Sequence, residues 1–248
     1  MCLITFAWRP THAVPLVLAA NRDEFYARPS RALGEWADAP GLYAGRDMEA
    51  GGTWMGVTSA GRFAALTNIR NPGQPLGTHS RGELVARYLR GTLSPGEYLQ
   101  HVALQLKDYS GFNLLVGTAR ELWFLNAREG TPRALAAGVY GLSNAALDTP
   151  WPKLQRVKAA LSNCLDDPQP EALLALLADA EPAREADLPD TGVGLATEQL
   201  LSSPFIASPN YGTRASTALI RRADGSQTLV ERSFGPYGAH LGEVGLQL

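Results

Sequence analysis

Cysteine is scarce in this chain. Its 248 residues include two, Cys2 and Cys164, too few for a disulfide framework or a zinc-ligand cluster. That agrees with a reducing compartment. Histidine is also rare: His12, His79, His101 and His240 are scattered without HxxxH or CxxH spacing, so no built metal site is expected. Long apolar runs are missing. The longest, AVPLVLAA at 13–20, is far short of the roughly 20 residues that span a bilayer. The start of the chain lacks a basic segment leading into an apolar one, so no signal peptide is expected. Charge of one sign is not in excess either, with 22 Lys and Arg against 24 Asp and Glu for a net −2. Without a basic excess, nucleic acid is not an expected partner. These absences lead to the expectation of a cytoplasmic, soluble protein without stable membrane insertion.

What remains is ordinary globular material. Hydrophobic residues make up 45% of the chain, and the mean hydropathy is −0.11. That supports a sizeable core, read here as one domain over 1–248. Paired apolar segments separated by turn residues recur along the chain: LITFAW with VPLVLAA, TWMGVT with RFAALTN, FNLLVGT with ELWFLN, and STALIRR with TLVERS. Each pair reads as a β-hairpin, the second turning at Gly61 and the fourth at Asp224-Gly225.

Helical patterns lie between the hairpins. Ser80 with Glu83 and Ser94 with Glu97 read as capping boxes, and Gly91 closes the first of these helices. PWPKLQRVKAALSNCL carries Leu154, Val157, Leu161 and Cys164 on one stripe, and PEALLALLADA at 170–180 follows as a short helix. The acidic, turn-rich stretch 181–194 reads as a long surface loop. The order suits an α+β fold, either two antiparallel sheets between helical layers or a single helix-covered sheet.

The candidate site is at the first hairpin. If it turns around residues 11–12, facing positions sum to about 23. Cys2 then lies opposite Asn21, with Arg22 and Asp23 just beyond, within a residue or two of slippage. Thiol, cation and carboxylate converge at one hairpin end. Met1 precedes a small residue, the condition for its removal by methionine aminopeptidase. The exposed α-amine would have an unperturbed pKa of about 7.7–8.0 and could act as a base, while Arg22 favours the thiolate and Asp23 holds Arg22 or the ammonium. One residue would then supply nucleophile and base. The plainer reading is that Cys2 is a small hydrophobe opening a buried strand, and that Asn21 to Glu24 are its partner's polar end.

Other candidates carry less. Cys164 is a core residue by its helical stripe. His12, at the hairpin tip, is roughly 30 Å from Cys2 at about 3.3 Å per residue and cannot be its base. Asn68, Arg70 and Asn71 crowd the end of an apolar strand, as pocket residues or as turn residues before Pro72.

The tetrapeptide Asn21-Arg22-Asp23-Glu24 after an N-terminal Met-Cys resembles the NRDE family, also called the transport-and-Golgi-organisation-two family. The likeness continues through GGTWMGV, ALTNIRNP, SRGELV, GFNLLVG, GVYGLSNA and TPWPKL, nearly the whole chain. Animal members of that family are linked to Golgi and mitochondrial organisation, lipid metabolism and haem mobilisation. The arrangement is also similar to N-terminal-nucleophile hydrolases of the choloylglycine hydrolase and penicillin V acylase type. Those open with Met-Cys and end the hairpin with Arg-Asn-x-Asp, where this chain has Asn-Arg-Asp at a slightly different spacing. The resemblance implies a four-layer αββα sandwich and a catalytic set of Cys2, Arg22, Asp23, Asn68, Asn144 and Arg214. In that set Asn68 and Asn144 are oxyanion donors, and Arg214 stands beside the nucleophile.

Two functions follow. One is hydrolysis of a small-molecule amide or thioester, which needs no metal or organic cofactor. The other is a non-catalytic binding or trafficking role, with haem or an acyl or lipid molecule as the carried ligand.

Overall fold

A computed structural model describes residues 2–248. The chain divides into two compact units, each built on one antiparallel sheet. The fold class is α+β.

One unit is formed by the chain up to Ala27, by Arg70–Pro72 and by Ala137–Leu248. Its sheet contains β1 (Cys2–Trp8), β2 (Leu16–Phe25), β10 (Gly138–Leu142), β11 (Tyr211–Arg221), β12 (Gln227–Phe234) and β13 (His240–Gln247). The strand order is β10-β1-β2-β11-β12-β13. Pro15 stands just before β2, where its missing N–H breaks no ladder bond, and its carbonyl accepts from Arg9 N at 2.8 Å. Asp224-Gly225 turns β11 into β12, with Gly225 at φ +93.

Helices α3 (Pro152–Ser162) and α4 (Pro170–Ala175) pack on this sheet. The odd-numbered residues of β1 and β2 meet them. Leu3 packs with Leu154 and Val157, while Ala7, Val17 and Ala19 pack with Leu161, Leu173, Leu174 and Leu177. Each fully buried leucine of this kind contributes about 1.5–3 kcal/mol. The helical stripe is therefore real, with one change: α3 stops at Ser162, and half-buried Cys164 packs at the cluster's margin. The stretch 181–194 contains a short 3-10 turn and leads into α5 (Leu195–Leu200), which the sequence reading did not anticipate.

The other unit comprises Arg28–Ile69 and Gly73–Ala136. Its sheet runs in simple order from β3 (Ser30–Trp36) and β4 (Ala39–Asp47) through β5 (Met55–Thr58), β6 (Phe63–Asn68), β7 (Phe112–Gly117) and β8 (Leu122–Asn126) to the two-residue β9 (Arg133–Ala134). Helices α1 (Gly82–Arg90) and α2 (Pro95–Ala103) cover one face, burying Leu84, Tyr88, Leu99 and Val102 against Leu66, Phe112, Leu114 and Val116. The Ser94–Glu97 capping box forms, but the one expected at Ser80 does not. The residue before α1 is Arg81, without a side-chain cap. What holds that helix start is backbone packing: a Cβ on Gly52 would lie 2.4 Å from the Gly82 carbonyl carbon, and Thr53 N donates to Gly82 O. The paired glycines of GGTW thus serve close backbone approach.

Candidate active site

Trp8 pairs with Leu16 and Cys2 with Arg22, so facing positions in the first hairpin sum to 24. The expected register of about 23 is corrected by one residue. The cause is the turn: the loop 9–15 centres on His12, with His12 N bonded to Arg9 O and Arg9 N to Pro15 O. A one-residue shift exchanges faces. Cys2 therefore shares a face with Arg22, while Asn21 and Asp23 share the helix-covered face with Leu3. β2 runs on to Phe25, so Asn21 to Glu24 form the polar end of the strand inside the ladder.

β11 pairs with the other side of β2 and positions the same residues. Thr213 faces Asp23, Ala215 faces Arg22 and Ser216 faces Asn21, with Arg214 as the extra residue of a β-bulge. Asn21 is an anchor. Its Nδ2 donates to Leu177 O at 3.0 Å and Pro204 O at 2.9 Å, and its Oδ1 accepts from Ser216 Oγ at 2.6 Å. Asp23 accepts from Thr213 Oγ1 at 2.8 Å and is 1% exposed. Burial pushes its carboxyl up, opposed chiefly by the Lys153 ammonium.

Cys2 is 7% exposed. Burial pushes its thiol up and Asp23 adds to that, while Arg22 acts in the opposite direction. Ser143 Oγ donates to the Cys2 carbonyl at 3.3 Å and to Asn144 Oδ1 at 3.3 Å. Asn144 is thereby held next to the head of β1, and its own carbonyl accepts from Arg70 N at 2.8 Å. Arg214 takes a different anchorage. It donates to Phe25 O at 2.9 Å and Tyr26 O at 3.4 Å, with its guanidinium 5.7 Å from the Tyr26 ring centre. Asn68 ends β6 opposite Phe112 and belongs to the other unit. The structure thus gathers Cys2, Arg22, Asp23 and Asn144 in one unit, with Arg214 at the end of the same β2–β11 ladder.

Three further groups of this cluster, buried Lys153 and Glu198 and half-buried Tyr211, escaped the sequence reading. Lys153, 1% exposed in the first turn of α3, donates from Nζ to Leu201 O at 2.8 Å. Burial pulls its ammonium down to about 8, although Asp23 and Cys2 act to raise it. Glu198 on α5 forms a buried ion pair with Arg70, and its second oxygen accepts from Thr191 N and Oγ1. Arg70 also lies 4.8 Å from the Trp151 ring centre. Tyr211 opens β11, and burial, Asp23 and Cys2 all push its phenol up. One signal pointed to Lys153: a cation in the first turn of a helix opposes the dipole and calls for another reason to be there. Glu198 and Tyr211 carried no such mark. Among the described residues no group of His, Cys, Asp and Glu could hold a metal ion.

The chain is thus a two-sheet α+β protein whose first strand opens on a buried cysteine. The family model for Transport and Golgi organisation 2 matches residues 1–236, and the chain belongs to this family. It is 38% identical over 256 residues to the human Transport and Golgi organization protein 2 homolog, covering 94% of this chain and 93% of the human one. The Drosophila melanogaster protein is 33% identical over 159 residues, or 58% of this chain and 56% of that one. Among solved structures, a mutant conjugated bile acid hydrolase from Clostridium perfringens is similar with a TM-score of 0.44 at 8% identity, over 100% of this chain and 92% of that chain. A Caenorhabditis elegans ortholog of N-acylethanolamine-hydrolyzing acid amidase gives a TM-score of 0.35 at 12% identity, over 88% and 92%.

Proposed function

We propose that this protein is an N-terminal cysteine hydrolase that cleaves an amide or thioester of a small molecule. The observation that carries this reading is the pairing of Cys2 with Arg22 at the head of a buried strand, with Asp23 and Asn144 held at the same end. A cation directly across the ladder is not what a cysteine that merely filled core would meet.

In the proposed reaction Met1 is removed and the Cys2 α-amine takes the thiol proton. The thiolate attacks the substrate carbonyl, forming a C–S bond. The oxyanion is met by the Asn144 amide, a kind of contact typically worth about 2.7–4 kcal/mol. The role of Asn68 as a further donor rests on the family resemblance. The ammonium returns its proton to the departing amine or thiolate, and water then hydrolyses the acyl-enzyme. Asp23 orients the ammonium, and Arg22 supports the thiolate. Arg214, bound to the end of β2, fixes the ladder that carries both.

Intact mass of untagged protein, followed by assay of Cys2→Ser against a panel of amides and thioesters, tests the reading. Loss of one methionine and loss of turnover in a folded Cys2→Ser variant are expected. Unchanged turnover in that variant would overturn it. Retained Met1 with stoichiometric uptake of haem or an acyl ligand would assign the cluster to a carrier instead.

A further inference from the structure

At the β12–β13 edge of the six-stranded sheet lies a cluster that the proposed reaction does not use. Arg232 pairs with Ser216, and Ser216 with Asn21, so Arg232 lies on the helix-covered face and not on the face of Cys2. Across the ladder to β13, Glu243 stands opposite Arg232 and His240 opposite Phe234. With Ala178 and Phe205 these four line a cleft of about 530 Å³, a size usual for small-molecule sites. All six residues belong to one unit.

Two walls of the cleft are fixed from the core. Ala178 and Phe205 directly follow Leu177 and Pro204, whose carbonyls accept from buried Asn21. Phe205 N donates to Asp179 O at 2.8 Å and so joins the two wall segments. Half-buried Phe205 and Phe234 meet edge to face, with ring centres 4.9 Å apart, and the His240 ring lies 6.0 Å from Phe234. These rings offer an aromatic guest both faces and edges to pack on.

The polar part of the lining carries both signs. Arg232 Nε donates to Glu243 Oε2, which uses one nitrogen of the guanidinium and one oxygen of the carboxylate. Among the described residues, the two terminal nitrogens of Arg232 and Oε1 of Glu243 have no other hydrogen bond or ion pair. Both side chains are partly exposed, so a solute can reach them. A guanidinium fork takes a carboxylate through two parallel bonds, and a carboxylate oxygen takes an ammonium. Glu243 repels a purely anionic guest and Arg232 a purely cationic one. A guest with both charges beside an aromatic ring meets all three features of the lining.

We propose that this cleft binds a free aromatic α-amino acid, with its carboxylate on the Arg232 fork, its ammonium on Glu243 Oε1 and its ring among Phe205, Phe234 and His240. The site lies on the sheet face opposite that of the Cys2 thiol. It is separate from the proposed hydrolysis and does not depend on it.

The test is titration of the full chain, labelled with nitrogen-15, with tryptophan, indole-3-propionate and tryptamine, followed by backbone amide shifts. Indole-3-propionate lacks the ammonium, and tryptamine lacks the carboxylate. Tryptophan is expected to shift the amides of Phe205, Arg232 and Glu243 and to bind about tenfold tighter than either analogue. Arg232→Met should weaken tryptophan to the level of tryptamine, and Glu243→Gln to the level of indole-3-propionate. Ala178→Trp, at an exposed position, should fill the cleft and abolish the shifts with all three compounds. The same spectra report whether each variant is folded. Equal affinity for the three compounds, tryptophan binding that ignores Arg232→Met and Ala178→Trp, or no saturable shifts at millimolar tryptophan would each overturn the proposal. Absence of turnover on every amide and thioester would remove the hydrolase and leave this site untouched.

Discussion

Across the ladder of the first hairpin, Cys2 faces Arg22 and not Asn21. That single register choice separates the polar residues of β2 into two jobs. Arg22 lies on the thiol's face, whereas Asn21 and Asp23 point to the helix-covered side, where they bind backbone and hydroxyl groups.

Arg22→Met is therefore expected to raise the pH at which Cys2 becomes alkylated, because it removes the cation directly opposite the thiol. Arg22→Lys should recover part of the effect. Thiol alkylation across pH measures both, and identical profiles for all three proteins would contradict the arrangement.

Asn21 should matter for stability before chemistry. Asn21→Leu leaves the Leu177 and Pro204 carbonyls and the Ser216 hydroxyl without their buried partner. A loss of about 3 kcal/mol is expected in urea unfolding. Ser216→Ala removes one of the three bonds and should cost about 1 kcal/mol.

The Arg70–Glu198 pair ties three separate stretches: Arg70 beside Asn144, Glu198 on α5, and Thr191 in the preceding loop. Arg70→Met alone strands a buried carboxylate and should cost about 3–5 kcal/mol. The double variant with Glu198→Leu should be markedly less destabilised than either single change. Faster proteolysis within 188–194 is expected in the single variants, read by limited digestion; additive energies across the cycle would rule out a coupled latch.

Stability should depend on pH through Lys153. Its folded value of about 8 lies below the ordinary lysine value of 10.5, so the unfolded chain binds the proton more tightly between the two. Stability contributed at this position therefore rises as pH climbs from about 8 toward 10.5, by at most on the order of 3 kcal/mol. The Cys2 thiol, raised by burial, works in the opposite direction. The comparison is best made in Cys2→Ala, with and without Lys153→Met, by urea melts at several pH values. Parallel curves in the two backgrounds would show that Lys153 is not neutralised on folding.

Much of the fold was legible because it follows from local rules. Alternating apolar runs and turn residues predicted four hairpins, all of which form, and the Ser94–Glu97 cap starts α2 as read. The hairpin of β3 and β4 was not read, since GEWADAPGLYAG is interrupted by glycine, proline and charge, and pairs irregularly with register shifts. The exposed strand β13 buries too little to show an apolar run. Ser80 looked like a cap, but α1 starts two residues later because the close approach of Gly52 and Gly82 decides its position.

Legible from the residues alone were the polar tetrapeptide, the cysteine beside Met1, the stripe of α3 and the hairpins that carry them. Each depends on residues within a few positions of one another. Long-range packing set the register by which Cys2 meets Arg22, the bulge at Arg214, and the placing of Asp23, Arg70 and Glu198 near Lys153. Those residues come from separate segments, with Lys153 and Glu198 more than a hundred positions from Asp23. Which charges a buried thiol meets is set by how strands and helices pack, and no local pattern encodes that balance.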